Sequence, residues 1–567
     1  MSKTTSHPQL VWPTAILCWI VLQWNLPNLG NNLIPRNMFV GAMVCIVCAS
    51  CWTKAFSTGR IRWSNSWGGL MIPPLFVILH AILIPTGSFV HYPWLAAGIL
   101  GLMAFWVMGL YQLEISTLQW RRLSQILVMG STMLCFFTLA SPKYLAWHEI
   151  WNALPLPLRA AEGGFQQPNL LASFMATSLT FTLWLHVRQS TSMPAWQKAV
   201  LILLTLIHAF IVFRSGSRVG MLGLTISMLL LGTWMKISLP PNRTMGWWCM
   251  LSLLIGALLA VWLGDVFQRL QDLTHGFSTT SRMSSIWASA HLWRQSPWWG
   301  HGIGTFSELI VPAFVQLIQT GEKLDYVQNL GHPHNEVLLW AVETGTLGVL
   351  FIVGPWIFLI GRIAFHLGRN SLGWIACLFP IGLHQFTEFP FHSSTAHIWL
   401  WAVVIASGVP SSLDRPFNRS VVSLTHAFAF ISLTWIVAFG LVIFLVDAGW
   451  VSYKTWAHRK PPPVSQADMT IRYQQERELT HLLLKRTALD NFQTSAASYW
   501  LANKENPNFE QWCSTVLDMT KRRQNTQQWE LESECLKSLD KAEDLQRHKL
   551  KLQALGVGEK ISNISNK

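Results

Sequence analysis

Charge is scarce in this chain. Only 12% of its residues are charged, against roughly a quarter in soluble globular proteins. The shortage is uneven, since charges are sparse up to about residue 450 and dense after it. An ordinary soluble domain is thereby excluded for the first part. The nine cysteines form no metal-ligand pattern. Cys45, Cys48 and Cys51 repeat every third residue on an apolar stretch and read as small packing residues. No nucleic-acid recognition motif accompanies the net charge of +14, so nucleic acid is not an expected partner. The first apolar run, about 10–26, contains Pro13, Gln23 and Trp24 and lacks a small-residue cleavage site. It is expected to be a retained helix rather than a signal peptide. No internal repeat is found.

Long apolar runs are abundant. "GLMIPPLFVILHAILIP" (69–85), "VGMLGLTISMLLLGTW" (219–234) and "LTWIVAFGLVIFLVDAGW" (433–450) each approach the ~20 residues that cross a bilayer as a helix. Many of the 32 tryptophans lie near the ends of such runs, as in an interfacial aromatic belt. Helices are predicted near 10–26, 37–53, 69–86, 93–112, 123–140, 168–187, 198–213, 217–235, 246–264, 336–360, 372–387, 396–410 and 424–449. The expected fold class is all-α, a polytopic membrane protein of about 13 transmembrane helices.

Loop charge tests the alternation. One set of loops holds Lys54, Arg60 and Arg62; Arg121 and Arg122; Arg188 and Lys198; Lys236 and Arg243; Arg362 and Arg369; Arg415 and Arg419. The intervening short loops hold far less, and "TGSFVHYP" (86–93) and "EFPFHSST" (388–395) have no basic residue. The basic set is expected to be cytoplasmic, with the amino terminus inside. Three larger segments then face outward: 141–167, 265–335 and the tail from about 451 to 567. The expected division is a membrane domain over 1–450 and a soluble helical tail over 451–567. The tail opens with "KPPPV" (460–464), a stiff linker, and continues with mixed-charge segments at helical spacing, possible tetratricopeptide-like hairpins. It also holds Cys513 and Cys535, which can pair across two helices if the outside is oxidising.

Unusual polar residues converge on the outward face. "GHPHNEVLLWAVETGT" (331–346) places His332, His334 and Asn335 at the mouth of a helix. Gln166, Gln167 and Asn169 stand at the start of another; Arg214 and Arg218 flank a tight turn; Arg282 lies in the long loop; His384, Gln385 and Glu388 lie where a helix emerges. Each has a plainer reading. Arginines snorkel to headgroups, Asn169 can cap a helix after Pro168, His334 and Asn335 can cap locally, and Glu388 can bond a backbone amide. Together, though, the cations, amides and two outward helix amino termini suit a membrane-anchored phosphate or diphosphate. The amphipathic segment 282–300 can lie in the interface beside a lipid tail.

At these residues the chain resembles a known family. "HPHNEVLLWAVETGTLGVL" is similar to a segment shared by O-antigen ligases, O-antigen polymerases and bacterial protein O-oligosaccharyltransferases. "EGGFQQPNLLASFMATSL" resembles the glutamine–proline–asparagine motif of the PglL-like, pilin-glycosylating branch, and the likeness continues through "SGSRVGMLGL" and "LHQFTEFPF". The first histidine of the "HPHN" run is variable in that motif. The resemblance implies a GT-C-like membrane glycosyltransferase of the bacterial inner membrane, with its site and tail on the periplasmic side. Its donor would be an undecaprenyl-diphosphate-linked oligosaccharide. Its acceptor would be a serine or threonine hydroxyl on a periplasmic protein such as type IV pilin.

Transfer at an anomeric carbon needs a base for the hydroxyl proton and positive charge for the leaving diphosphate. An ordinary histidine, with a pKa of about 6.5, suits the first task. His334 is the candidate, as base or as donor to the leaving phosphate, with Glu388 or His384 to orient it. Arg214, Arg218 and Arg282 are candidates for the diphosphate; Gln167 and Asn169 for sugar hydroxyls or acceptor backbone. No outward run of acidic residues suggests a metal, and no cofactor is expected. The nearest rival is a ligase adding O-antigen to lipid A core, or a polymerase. A transporter would place its polar residues at the midplane of repeated halves, and a non-enzymatic scaffold would leave the outward arginines and His334 without a task.

Overall fold

In hydrocarbon every backbone N–H and C=O must find its partner within the protein, which leaves an isolated apolar run of about 20 residues only the helix. The computed structural model follows that rule. It describes residues 34–58, 61–63, 65–86, 92–112, 115, 117–139, 167–189, 193–263, 277–325, 330–409, 415–417, 424–457, 501, 513 and 526–555. The expected helix at 10–26, the segment 141–166 (with Gln166) and most of the tail lie outside the described residues. Among those described, eight helices are long and apolar enough to cross a membrane, and three shorter apolar helices accompany them. The protein is an all-α polytopic membrane protein.

In chain order the helices are α1 (Ile34–Thr58), α2 (Asn65–Gly69), α3 (Ile72–Leu83), α4 (Tyr92–Tyr111), α5 (Thr117–Leu139), α6 (Pro168–Val187), α7 (Ala195–Arg214), α8 (Arg218–Ser238), α9 (Arg243–Trp262), α10 (Phe277–Gln295), α11 (Phe306–Gln319), α12 (Glu336–Ile352), α13 (Gly354–Leu367), α14 (Ser371–Gln385), α15 (Pro390–Ser393), α16 (Thr395–Gly408), α17 (Leu424–Ala457), α18 (Thr526–Ser538) and α19 (Ala542–Ala554). Two three-residue strands, β1 (Ile61–Trp63) and β2 (Arg415–Phe417), pair antiparallel. Each predicted helix from 37–53 onward has a counterpart. The predicted helix at 336–360 is corrected: it is non-helical at Gly345 and ends at Ile352.

The chain divides into two compact units, one formed by residues 1–72, 99–271 and 354–457, the other by 73–98, 272–353 and 458–567. The first is built around α6, every residue of which from Leu170 to Val187 is buried. α5, α7, α8 and α14 pack on it, while α17, paired with α1, leaves nearly all its apolar surface outward for lipid. Hydrogen bonds join the basic loops to one another. Arg121 donates to the side-chain oxygens of Gln189 (2.9 Å) and Gln197 (2.7 Å). Ser238 bonds the Arg369 carbonyl at 2.8 Å, and the β1–β2 ribbon ties Arg62 to the segment holding Arg415. The start of α1 is joined separately to the segment before α16: Asn37 donates to the Ser393 carbonyl at 2.6 Å and accepts from the Thr395 amide at 3.0 Å.

The second unit has its own apolar core, in which Leu292, Phe306, Phe314, Val342, Trp529 and Leu552 are buried together. The segment 265–335 is therefore more than a loop. It contains α10 and α11, and the stretch expected as one amphipathic segment (282–300) leaves the helix after Gln295. α10 buries a stripe of small residues, Ser281, Ser284, Ser285, Ala288 and Ser289, and exposes Met283 and Trp287. The tail helices α18 and α19 form a hairpin whose Trp529 and Leu552 join this core.

Candidate functional site

The polar residues expected to face outward divide between the two units. In the first, α6 begins at Pro168, whose missing N–H costs nothing in a first turn. Gln167 holds the cap position in extended backbone without a side-chain cap bond, so the capping role open to Asn169 is not the one it takes. Asn169 instead reaches sideways: its Oδ1 accepts from the Ser217 hydroxyl at 2.7 Å and its amide donates to Glu388 Oε1 at 3.4 Å. Ser217 in turn caps α8, accepting the Gly220 amide at 3.1 Å. The amino termini of α6 and α8 are thus fastened together.

The turn between α7 and α8 explains the "FRSGSRVG" spacing. Gly216 has φ +73°, a left-handed conformation that costs a residue with a β-carbon. A side chain at Gly220 would collide with Ala172 of α6, so glycine there permits the close approach. Arg214 ends α7 and Arg218 opens α8, both half-buried, one on each side of the Ser215–Ser217 turn. Two helix amino termini and the Glu388 carboxylate therefore occupy one region, with Arg214 and Arg218 flanking the adjoining turn. Partial positive charge at each terminus adds to the arginines.

Beneath it lies a second layer, of which the sequence pointed only to His384. His384, fully buried, pairs through Nδ1 with the Ser173 hydroxyl at 2.8 Å. Ser173 also meets His397 Nε2 at 3.1 Å, and His397 Nδ1 meets the Ser394 hydroxyl at 2.8 Å. The Leu170 carbonyl, 3.1 Å from His397 Nε2, can only accept, so that nitrogen carries a proton. Ser173 lies one helical turn beyond Asn169, and Glu388 lies one turn beyond His384, its amide bonding the His384 carbonyl at 2.9 Å. The two pairs form successive rungs between α6 and the end of α14. That spacing of four was the available signal for Ser173; His397 had none beyond being a histidine in an apolar helix.

His332, His334, Asn335 and Arg282 belong to the second unit. Asn335 is the cap of α12, accepting the Leu338 amide at 2.9 Å. His334 adopts φ +52°, one of three non-glycine residues with positive φ among those described. Its amide donates to His332 Nδ1 at 3.2 Å, and the two rings meet edge to face with centroids 4.5 Å apart. Arg282 is half-buried on α10, which packs along α12.

α12 also carries a break. At Gly345 (φ +69°, ψ −172°) the helical ladder opens, and residues 297–302 bond the groups it releases. The His301 and Gly302 amides bond the Val342 and Glu343 carbonyls at 3.0 and 2.8 Å, and the Thr346 and Leu347 amides bond the Pro297 and Trp298 carbonyls at 2.8 and 3.3 Å. The Glu343 carboxylate, buried, accepts the Phe306 amide at the start of α11. Glu343 is thus a structural acceptor here, and non-helical backbone in an apolar region is satisfied by protein.

Comparison with known families adds one independent finding. The O-antigen ligase family model matches residues 199–353. That span runs from α7 to the end of α12 and includes Arg214, Arg218, Arg282, His332, His334 and Asn335; it excludes Gln167, Asn169, His384 and Glu388. A comparison with curated proteins gave no match. Over residues 199–353 the chain is thus similar to O-antigen ligases.

Proposed function

We propose that the protein transfers an oligosaccharide en bloc from undecaprenyl diphosphate to serine or threonine hydroxyls of periplasmic proteins such as type IV pilin. The observation that carries this reading is His334. It is a histidine in left-handed backbone at the mouth of α12, within the matched span, and non-glycine residues in that conformation cluster at functional sites. In the reaction the acceptor oxygen bonds to the anomeric carbon as the bond from that carbon to the diphosphate oxygen breaks. The hydroxyl proton passes to His334, and the lipid diphosphate leaves with both bonding electrons. Arg214, Arg218 and the paired amino termini of α6 and α8 supply positive charge suited to that diphosphate, with Arg282 as a further cation. Gln167 and Asn169 bind sugar or acceptor, and Glu388, held by Asn169, sets the local charge.

Protein as acceptor is supported by the resemblance of "QQPN" to the PglL-like motif and by the helical tail. The Cys513–Cys535 disulfide in that tail fits an oxidising periplasm, and the basic loops then lie in the cytoplasm. The family match itself favours a second reading, transfer to lipid A core or to a growing O-antigen. A mass spectrum of pilin co-expressed in cells making a lipid-linked glycan separates the two. Wild type should add a glycan mass that His334→Ala, at equal abundance, does not. Unmodified pilin with polysaccharide appearing on lipid A would establish the second reading. Normal glycosylation by the variant would remove His334 from the chemistry.

A further inference from the structure

We propose that His332 is a positioning residue whose imidazole holds His334 in its working conformation. The inference rests on the reading of His334 given above. Positive φ is disfavoured at a residue with a β-carbon, and the place following a proline is where a type II turn ordinarily takes glycine or asparagine. In "HPHN" a histidine stands there. Pro333 has no N–H to offer, so the first amide after His332 able to close the turn is that of His334, and it donates to His332 Nδ1 at 3.2 Å. This is the bond an aspartate or asparagine side chain makes in an Asx turn, to the amide two residues on. The ring of His332 does a second job, packing its neighbour edge to face at 4.5 Å and so limiting the rotation of the His334 ring.

The chemistry makes the assignment specific. An amide N–H can pair only with an unprotonated nitrogen, so His332 is the tautomer with its proton on Nε2. Asparagine at 332 can close the same turn through its carbonyl oxygen but cannot supply the edge contact. Alanine or leucine can do neither.

The test uses purified full-length protein, undecaprenyl-diphosphate-linked oligosaccharide extracted from bacteria that assemble one, and pilin or lipid A core as acceptor. Release of undecaprenyl diphosphate is the readout. His332→Ala should lower kcat by about 10- to 100-fold, the penalty of a misplaced catalytic group, with the donor KM little changed. His332→Asn should recover most of that loss. His332→Ala at wild-type kcat, with His334→Ala inactive, would overturn the inference and leave the function standing; His334→Ala at wild-type rate would sink the functional reading instead. A readout independent of activity is the ¹⁵N spectrum of histidine-labelled protein, with the His332 signals identified by their loss in His332→Asn. The proton on Nε2 is expected; a proton on Nδ1 would overturn the proposal even if no transfer were detected.

Discussion

The Asn169 amide meets the Glu388 carboxylate at 3.4 Å, joining residues 219 positions apart. Glu388 is nearly inaccessible, so loss of that partner is felt directly: Asn169→Leu should destabilise the protein by about 1–3 kcal/mol, the range for a buried polar group deprived of a bond. Glu388→Gln separates structure from chemistry, because the amide oxygen can still accept from Asn169 while the charge is gone. Its thermal midpoint in detergent should stay close to wild type, while the transfer rate falls about 100-fold. An unchanged rate would reduce Glu388 to a structural acceptor.

Much of this arrangement was legible in the sequence because hydrocarbon leaves few choices. The run at 168–187 becomes α6 with the predicted ends, since Pro168 starts it and apolar residues fill it. The "FRSGSRVG" turn was legible for a similar reason, its glycine and serines having one compact use. Long-range pairings were not legible. Nothing in "IRW" at 61–63 announces a partner at 415–417. Nor does "ETGTLG" reveal a break, because a glycine within an apolar run is compatible with a straight helix until residues 297–302 arrive to bond its opened ladder. Ser173 and His397 were missed because a buried hydroxyl and a buried imidazole gain meaning only from each other. The positive φ of His334 is likewise a property of the folded turn.

Gly345 offers a clean backbone test. Its φ of +69° with ψ of −172° lies in a region that only glycine enters readily, and an added β-carbon would also strike the Trp298 carbonyl. Gly345→Ala should therefore cost at least about 1–3 kcal/mol and reduce abundance in the membrane. Gly361→Ala is the control, since its β-carbon would meet nothing within 4 Å on a helix that favours alanine. Equal midpoints for the two variants would mean the break at Gly345 is not maintained.

The tail disulfide predicts a pattern of thiol labelling. Cys513 and Cys535 are bonded across a separation of 22 residues, while Cys45, Cys48, Cys51, Cys249 and Cys377 are buried thiols. Maleimide added to denatured protein should reach two more of the nine cysteines after reduction than before it. Cys513→Ser with Cys535→Ser should destabilise the tail by about 3 kcal/mol, seen as faster cleavage of residues 513–535 by protease. Labelling of all nine without reductant would exclude the bond.

The tail should also loosen in acid, through His548. This side chain is buried beside Trp529, bonding its carbonyl through Nε2 at 3.2 Å, with Nδ1 3.5 Å from the Glu532 carboxylate. Burial pushes its pKa below the ordinary histidine value; Glu532 and the Trp529 carbonyl pull it upward, Lys551 adds a smaller push down, and burial prevails. A depressed folded pKa means that the unfolded tail binds the proton more readily. The stability this contributes is complete above about pH 6.5, the unfolded value, and is lost as pH falls toward the folded one, by at most about 1.4 kcal/mol per pH unit. Protease resistance of the tail should therefore drop between pH 7.5 and pH 5 by more in wild type than in His548→Gln, which has no proton to gain there. Glu532→Gln should steepen the drop, because removing the carboxylate lowers the folded pKa further. A wild-type tail equally resistant at both pH values would show that His548 titrates alike in the folded and unfolded chain.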